Sequence, residues 1–182
     1  SSDMVKDLYY SNLSSDKIVI VVVGDIEENM VINLLNKYFA SIPQRNINIP
    51  QKALEPINEN KILKIAKNDA AQAQVLQAWR LPGLEEVNIP ALLVLDSVLG
   101  SSGLSSRLFL ELREKKGLAY AVRSSADTMK YATTFLLYIA TNPINIQTCI
   151  EGFKTEIDKI INIPIGNKEL ENAKNNVLGK RA

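Results

Sequence analysis

The pattern of hydrophobic and polar positions over residues 1–45 predicts a strand followed by an amphipathic helix. Residues Lys17 to Val23 form a β-branched run that ends at Gly24. A continuous apolar run of this length is typical of a strand buried on both faces. Apolar residues then recur at helical spacing from Met30 to Phe39. Residues 1–45 are therefore predicted to be the strand–helix end of a first unit.

A stretch with prolines separates this first part from the rest of the chain. Residues 46–60 contain Pro50 and Pro56 among asparagines and a glutamine, without a sustained period, and this composition is typical of a linker. Residues 61–182 carry the remaining helix and strand signals and are predicted to form a second unit. Because the chain stops inside a predicted helix, we expect this second unit to be truncated.

The second unit combines strand and helix patterns. Its predicted elements are an extended stretch Lys61–Trp79, a helix that begins at Ile89 and breaks at Gly100–Gly103, a helix Leu104–Lys116 with Gly117 as its C′ residue, a hairpin of strands Ala119–Thr128 and Thr133–Thr141, and helices over Ile146–Ile161 and from Lys168. This order predicts an α+β fold, mainly an antiparallel sheet with helices packed on one face, preceded by a βα fragment of a neighbouring similar unit.

The overall composition is that of a soluble globular chain. Of 182 residues, 46% are hydrophobic and 23% are charged, with a net charge of +1, so no basic surface indicates nucleic-acid binding. The longest apolar run, Ile18–Val23, is far shorter than the ~20 residues of a membrane-spanning helix. We expect a soluble chain without a nucleic-acid partner or a membrane span. The sequence predicts no cellular location.

Histidine is absent from the sequence, and cysteine occurs once, as Cys149. Without histidine the chain cannot form a Ser-His-Asp triad, a Cys-His pair or a His-ligated zinc site. A single cysteine excludes an internal disulfide, and Cys149 is predicted to be a small buried apolar residue. We therefore expect neither a complete hydrolytic site nor a cofactor within this chain.

Arg113 is the candidate that the residue pattern itself selects. None of its helix neighbours one turn away is acidic, whereas Arg107 has Glu111 one turn ahead. Arg113 is therefore free to serve a group outside its own helix, and Tyr120 follows just after the break at Gly117. The two side chains could donate hydrogen bonds to an oxygen on which negative charge develops. The same pattern also fits a solvated arginine and a tyrosine that only packs.

Other motifs have ordinary explanations. Glu111 and Glu114 lie three residues apart and could do acid–base chemistry, but nearby basic residues favour a solvated helix face. The lone Gly24 after the first run is a strand-to-helix turn, since a dinucleotide fingerprint needs three spaced glycines. The Gly100–Gly103 segment lacks the Lys-Ser/Thr of a phosphate loop and is predicted to join two helices.

Nearly the whole chain resembles one peptidase family. The run Ser105–Val122, Ser-Ser-Arg-Leu-Phe-Leu-Glu-Leu-Arg-Glu-Lys-Lys-Gly-Leu-Ala-Tyr-Ala-Val, resembles the insulinase/pitrilysin-like zinc metallopeptidases, which include the mitochondrial processing peptidases. Val21–Asp25 with Tyr38 and Phe39 resembles the strand and helix that close the first structural unit of that family. Leu99–Arg107 resembles its Gly/Ser-rich approach to the motif helix.

The resemblance implies a role without zinc in this chain. The catalytic half of the family carries an inverted zinc motif, His-x-x-Glu-His, which a chain without histidine cannot contain. The chain then corresponds to the C-terminal, non-zinc-binding portion, in which Arg113 and Tyr120 would contact the substrate backbone and polarise the scissile carbonyl. The resemblance implies zinc in the complete enzyme or its partner, held by a zinc-bearing N-terminal segment or a separate catalytic subunit. It also implies a peptide substrate and a possible dimer.

Two alternatives remain open within the same fold. The chain could be a catalytically inactive structural or core subunit, or it could be a binding module for extended peptides. Residues Ala70–Trp79 are predicted to be a core strand or a sheet edge near a peptide-binding chamber, to which a peptide would add as a further strand. In every case the isolated chain is expected to be inactive.

Overall fold

A computed structural model describes residues 1–47, 57 and 59–180. The chain divides into two compact units, Ser1–Pro56 and Ile57–Ala182. Most of the predicted linker 46–60 lies outside the described residues, so the division into 1–45, 46–60 and 61–182 stays a prediction.

Two α-helices and little buried surface are found in the described residues 1–47 of the first unit. Helix α1 spans Ser2–Asn12 and begins at Ser1, whose hydroxyl accepts a hydrogen bond from the Met4 amide at 3.4 Å. Helix α2 spans Glu28–Phe39 and ends before Pro43, as the pattern predicts. Neither helix buries a residue. The described part of this unit therefore has no apolar core.

The predicted strand Lys17–Val23 is not formed in the first unit. Ser15–Lys17 make a short 3₁₀ turn, and the residues after it are not paired in a sheet within the described part of the chain. The prediction is wrong for this chain because a strand requires a neighbouring strand to bond its main-chain groups. The β-branched residues show that the run favours an extended conformation, but they do not show that a neighbouring strand is present.

The described part of the second unit contains an antiparallel sheet of three strands. Strand β1 spans Ala73–Leu81, β2 spans Ala119–Thr128 and β3 spans Thr133–Thr141, in the spatial order β1-β3-β2. The β2–β3 hairpin has the predicted bounds. The predicted extended stretch Lys61–Trp79 becomes a strand only from Ala73, where pairing with β3 begins at Thr141.

Helical segments follow β1 and β3. Helix α3 spans Ile89–Asp96, and the Asn88 side chain caps it by accepting from the Ala91 amide at 3.1 Å. A π-helical turn, Ser97–Ser101, and a 3₁₀ turn, Gly103–Ser105, come next, followed by a π helix, Phe109–Glu114. Helices α4, Ile146–Asn162, and α5, Asn167–Gly179, complete the unit. The prediction of a single regular helix over Leu104–Lys116 is therefore wrong. The segment begins with a 3₁₀ turn and is wound as a π helix over Phe109–Glu114.

The helices cover one face of the sheet and enclose the core. The buried cluster consists of Leu92, Leu99, Leu108, Leu112, Phe135, Leu137, Ile139, Cys149 and Phe153. Exposure alternates along β1, so that Val75 and Trp79 pack on this cluster while Leu76 lies on the open face. Cys149 is fully buried, as predicted. The α+β class with an antiparallel sheet is confirmed.

Each helix in the part of the chain that the structure describes is too short or too polar to cross a lipid bilayer.

Candidate functional site

Arg113 lies on the π helix, at the edge of the core. Phe109 and Leu112 of the same helix are buried, and the Lys115 amide donates to the Leu110 carbonyl at 3.0 Å, which is the wide hydrogen bond of π geometry. π-Helical turns are rare and often mark functional sites. The side chain of Arg113 is half-buried. Its backbone is therefore held by the core while its guanidinium group reaches the surface.

Gly117 turns the chain from the π helix into β2. Its φ angle is +62°, a left-handed conformation that disfavours residues with a Cβ atom. The Gly117 amide donates to the Arg113 carbonyl at 3.0 Å, and the Leu118 amide donates to the Leu112 carbonyl at 2.9 Å. The carbonyl of Leu118 accepts a hydrogen bond from Thr141 Oγ1 at 2.6 Å. This turn is thus tied to both the helix and the sheet.

Tyr120 occupies a β-bulge at the start of β2. Ala119 lies opposite Thr141 and Ala121 lies opposite Ala140, so Tyr120 has no opposite residue on β3. A bulge redirects a side chain out of the regular alternation of a strand. Tyr120 is 81% exposed, although tyrosine has a large apolar ring. Its ring and hydroxyl are consequently available to a molecule that approaches this edge.

The turn and the bulge bring Arg113 and Tyr120 together. The guanidinium carbon of Arg113 lies 5.7 Å from the centre of the Tyr120 ring and 4.7 Å from the centre of the Phe109 ring. Both distances fall within the ~6 Å range of cation–π attraction. The sequence predicts the meeting of Arg113 and Tyr120 at the helix–strand junction, but it does not single out Phe109. The spacing of four residues between Phe109 and Arg113 is the signal that could have identified this contact.

Arg113 has no acidic partner within the described residues. None of the ion pairs formed there includes it. The Phe109 and Tyr120 rings accept no conventional hydrogen bond from the guanidinium group, so its N–H donors stay available to another acceptor. The site can therefore present a fixed positive charge beside a phenolic hydroxyl.

The prediction that Glu111 is the acidic partner of Arg107 is wrong. Arg107 pairs with Glu169 of α5 and not with Glu111, through two hydrogen bonds of 2.7 Å. Glu111 instead pairs with Lys115 one turn ahead, with an N–O distance of 2.5 Å. The first pair joins residues that are 62 positions apart, which local spacing cannot predict. It ties α5 to the segment that leads into the π helix.

The pKa values of these acids follow their ion pairs. The hydrogen bonds from Arg107 hold the pKa of Glu169 below its usual value against an opposing effect of burial. The hydrogen bond from Lys115 likewise lowers the pKa of Glu111. Both carboxyl groups are therefore ionised at neutral pH. Glu111 therefore fits the predicted solvated helix face, where basic residues neutralise the acids. It does not fit the alternative of acid–base chemistry.

One family profile matches residues 1–177 of the chain, and its description is peptidase M16 inactive domain. The chain belongs to this family. This membership confirms the resemblance to zinc metallopeptidases that the sequence shows.

Curated relatives of this M16 inactive domain are much longer than the chain. An uncharacterized zinc protease of Mycobacterium leprae is 37% identical over 130 residues, which are 70% of this chain and 29% of that protein. The uncharacterized zinc protease YmxG of Bacillus subtilis is 27% identical over 179 residues, which are 98% of this chain and 42% of that protein. A further B. subtilis relative, 28% identical over 133 residues, is named probable inactive metalloprotease YmfF and shares 71% of this chain and 30% of its own length.

Solved structures share the same fold. A protease from Helicobacter pylori superposes with a TM-score of 0.67 at 26% identity, over 87% of this chain and 39% of that one. A peptidase M16 inactive domain from Pseudomonas fluorescens superposes with a TM-score of 0.74 at 22% identity, over 100% of this chain and 43% of that one. The second likeness concerns the fold alone.

The residues of this M16 domain do not fit a zinc site. No group of three or more histidine, cysteine, aspartate or glutamate side chains that could hold a metal ion occurs in the described part of the chain. Histidine, the usual neutral zinc ligand, is absent from the sequence, and Cys149 is enclosed by the apolar core. The residues that the structure describes therefore supply no set of ligands for a zinc ion.

Proposed function

We propose that this chain is the substrate-side, non-zinc portion of a zinc metalloendopeptidase that acts on peptides or unfolded polypeptides. Another segment of the same protein, or a partner subunit, supplies the zinc site. Arg113 and Tyr120 contact the peptide backbone and polarise the scissile carbonyl. The observation that carries this proposal is the Arg113 guanidinium, which lies against two aromatic rings without an acidic partner among the described residues.

The chemistry of the pair supports this role. Attack on a peptide carbonyl places negative charge on its oxygen, and preorganised donors stabilise that charge more than they stabilise the ground state. Arg113 supplies a permanent charge with several N–H donors, and Tyr120 supplies a neutral O–H. The bulge and the left-handed turn at Gly117 fix the two backbones. Little reorganisation is then needed when the substrate binds.

The first experiment is peptide hydrolysis by the complete zinc-containing enzyme. Removal of one such donor typically lowers kcat by about 10²–10³-fold, and we expect losses of this order for Arg113→Ala and for Tyr120→Phe. Arg113→Lys should also lose activity, because lysine keeps the charge but not the planar donor group. Initial rates with an internally quenched peptide give kcat and KM for each variant.

Arg123→Ala is the matched control. The Arg123 guanidinium also lies over a tyrosine ring, 5.0 Å from the centre of Tyr138, but Arg123 belongs to β2 and not to the π helix. We expect its kcat to stay within about twofold of the wild-type value, since an exposed cation–π contact is worth only about 0.5–1 kcal/mol to stability. Wild-type kcat in both Arg113→Ala and Tyr120→Phe would contradict the proposed role.

A peptide-binding module is the second candidate, and the edge of the sheet favours it. β1 pairs only with β3 among the described residues, so its other edge presents free main-chain donors and acceptors to an extended peptide. In that case the complete protein binds peptide without hydrolysing it, and Arg113→Ala leaves the affinity unchanged. Fluorescence anisotropy of a labelled peptide, run beside the hydrolysis assay, distinguishes the two functions.

A further inference from the structure

Glu156 of α4 is an acid on the side of its helix that packs on the core. The buried residues of α4 are Cys149, Gly152, Phe153 and Glu156, and Glu156 is only 3% exposed. Their helical spacing places them on one face, where an apolar side chain is the ordinary choice. A buried carboxylate costs free energy unless charged partners neutralise it. The partners of Glu156 therefore decide what this residue does.

The first partner of Glu156 is a lysine of the same helix. Lys159 Nζ donates to Glu156 Oε1 at 2.6 Å. This hydrogen bond raises the pKa of Lys159 against the opposing effect of burial, and the negative charge of Glu111 on the π helix raises it further. Lys159 therefore lies close to two acids, one on α4 and one on the π helix.

The second cation near Glu156 is Arg107, which lies two residues before the π helix. The hydrogen bonds to Glu169 raise the pKa of Arg107 despite its partial burial, and the charge of Glu156 raises it further. The pKa of Lys159 is set mainly by its hydrogen bond to Glu156, but the positive charge of Arg107 lowers it. Glu156 thus attracts two cations that would otherwise repel each other.

Six charged side chains, which we call the charge network, link α4 and α5 to the π helix and the segment before it: Glu169, Arg107, Glu156, Lys159, Glu111 and Lys115. Hydrogen bonds join three pairs, and Glu156 and Lys159 connect these pairs to each other. Only Glu156 of the six is buried, so solvent screens its attraction least. One turn earlier, a Cβ atom on Gly152 would overlap Leu112, so α4 and the π helix are in direct contact there.

We propose that Glu156 is a positioning residue that holds the π helix against α4 and thereby fixes the Arg113 guanidinium group for the substrate. The part played by Arg113 rests on the proposed function. Glu156 acts through Lys159 and Arg107, and without the carboxylate the repulsion between these cations moves α4 away from the segment that carries Arg113. A role in stability alone does not require an acid here, because apolar replacements of buried ion pairs are often neutral or stabilising.

Peptide hydrolysis by the complete zinc-containing enzyme tests this role with Glu156→Gln and Glu156→Leu. A misplacement of about 1 Å can cost up to about 10²-fold in rate, so we expect kcat to fall about 10- to 100-fold in both variants. KM should change by less than about threefold, since the peptide-binding groups are still present. Wild-type kcat in both variants would overturn the proposal.

Stability and a matched control separate positioning from a merely structural role. Glu156→Leu should keep the wild-type Tm, because an apolar side chain of similar size replaces the buried carboxylate, so its loss of kcat cannot come from unfolding. Asp158→Asn is the control, since Asp158 lies on the same helix, is 51% exposed and pairs with Lys154 at 2.9 Å. We expect its kcat to stay within about twofold of wild type. An equal loss of kcat in Asp158→Asn would contradict a specific role of Glu156.

A double-mutant cycle tests whether Glu156 acts through Arg113. In the Arg113→Ala background, Glu156→Gln should lower kcat by less than about twofold, because the group that it positions is already absent. A full additive loss in the double variant would overturn the proposal, since Glu156 would then act independently of Arg113.

Hydrogen–deuterium exchange distinguishes this inference from the proposed function, because exchange requires neither turnover nor bound zinc. We expect the amides of Phe109–Glu114 to exchange about tenfold faster in Glu156→Gln, while the amides of β3 keep their rates. Faster exchange together with wild-type kcat in Arg113→Ala would refute the proposed function, while the link between Glu156 and the π helix stands. A low kcat in Arg113→Ala, with unchanged exchange and kcat in Glu156→Gln, would refute the positioning role alone.

Discussion

Leu112 occupies the space that a side chain on residue 152 would need. A Cβ atom built on Gly152 would overlap the Leu112 Cδ2 atom, so α4 and the π helix approach closely because residue 152 is glycine. Leu112 is almost fully buried and directly precedes Arg113. The contact therefore sets how closely the helix that carries the site arginine lies against α4.

Gly152→Ala should destabilise the second unit. The added methyl group forces Leu112 out of a well-packed position, and overpacking of this kind costs about 1–3 kcal/mol. Leu112 lies on the π helix beside Arg113, so we also expect slower peptide hydrolysis by the complete enzyme. Thermal unfolding followed by circular dichroism gives the change in Tm.

Gly179→Ala is the control for this substitution. Gly179 ends α5, and no atom lies within 4 Å of a Cβ built there, so its stability should stay within about 0.5 kcal/mol of wild type. Equal Tm values for Gly152→Ala and wild type would show that Leu112 has room to yield.

The sequence pattern predicts the second unit well where local chemistry decides the structure. The hairpin strands Ala119–Thr128 and Thr133–Thr141 match the prediction. Helix α4 begins at Ile146 as predicted and ends one residue later than predicted. In these segments the alternation or the apolar stripe faces a core that the same segments help to build. The meeting of Arg113 and Tyr120 was also predictable, because only a short glycine turn separates them.

Longer-range contacts decide the parts that the pattern misses. The run Lys17–Val23 has the composition of a strand but no neighbouring strand within the described residues. The π winding of Phe109–Glu114 leaves no mark in helical periodicity, since it adds only one residue to a turn. The Arg107–Glu169 pair depends on the docking of α5. Each of these features is set by tertiary structure and not by the local sequence.

The Arg107–Glu169 pair should make the stability of the second unit depend on pH in the acid range. Since the folded pKa of Glu169 lies below its usual value near 4.5, the unfolded chain binds more protons there, and stability falls as the pH is lowered. The contribution is complete above the usual pKa and disappears as the pH falls through the lowered one. Glu169→Gln should cost roughly 1 kcal/mol at neutral pH, the upper range for a partly exposed pair.

Urea unfolding at neutral pH and at about pH 3 tests the acid dependence. The stability difference between wild type and Glu169→Gln should shrink at the lower pH, because Glu169 of the unfolded chain then takes up a proton while the pKa of the folded carboxyl group is held lower. Glu171→Gln is the control, because Glu171 lies on the same helix and pairs with Lys174 on an exposed surface. A pH-independent difference for Glu169→Gln would indicate a steric effect and not an ionic one.

Ser124 on β2 donates a hydrogen bond to Asp96, a buried acidic residue that directly precedes the π-helical turn Ser97–Ser101. Ser124 Oγ lies 3.0 Å from the Asp96 carbonyl oxygen and also contacts the Asp96 carboxylate, and both residues are buried. Ser124→Ala leaves the Asp96 carboxylate without this donor, and we expect a loss of about 1–3 kcal/mol in the free energy of unfolding. Urea unfolding measures it, with the half-buried Ser125→Ala as the control on the adjacent position of β2. Equal losses for the two variants would contradict a specific role of the Ser124 hydroxyl.

Gly117 should be the most sensitive position of the turn between Arg113 and Tyr120. Its φ of +62° costs an ordinary residue about 1–2 kcal/mol, so Gly117→Ala should lower the Tm, and Gly117→Asn should lower it less because asparagine tolerates this conformation better. Relief of the strain moves Tyr120 relative to Arg113, and a misplacement of about 1 Å can cost up to about 10²-fold in rate.

Thermal unfolding and peptide hydrolysis by the complete enzyme, measured on the same variants, test the role of Gly117. Gly166→Ala is the control, since Gly166 has an ordinary φ of −64° and no atom within 4 Å of a Cβ built on it. We expect both Tm and kcat to follow the order wild type, Gly117→Asn, Gly117→Ala, with Gly166→Ala at the wild-type level. A Gly117→Ala variant that loses stability but keeps its kcat would show that the turn supports the fold without positioning Tyr120 for catalysis.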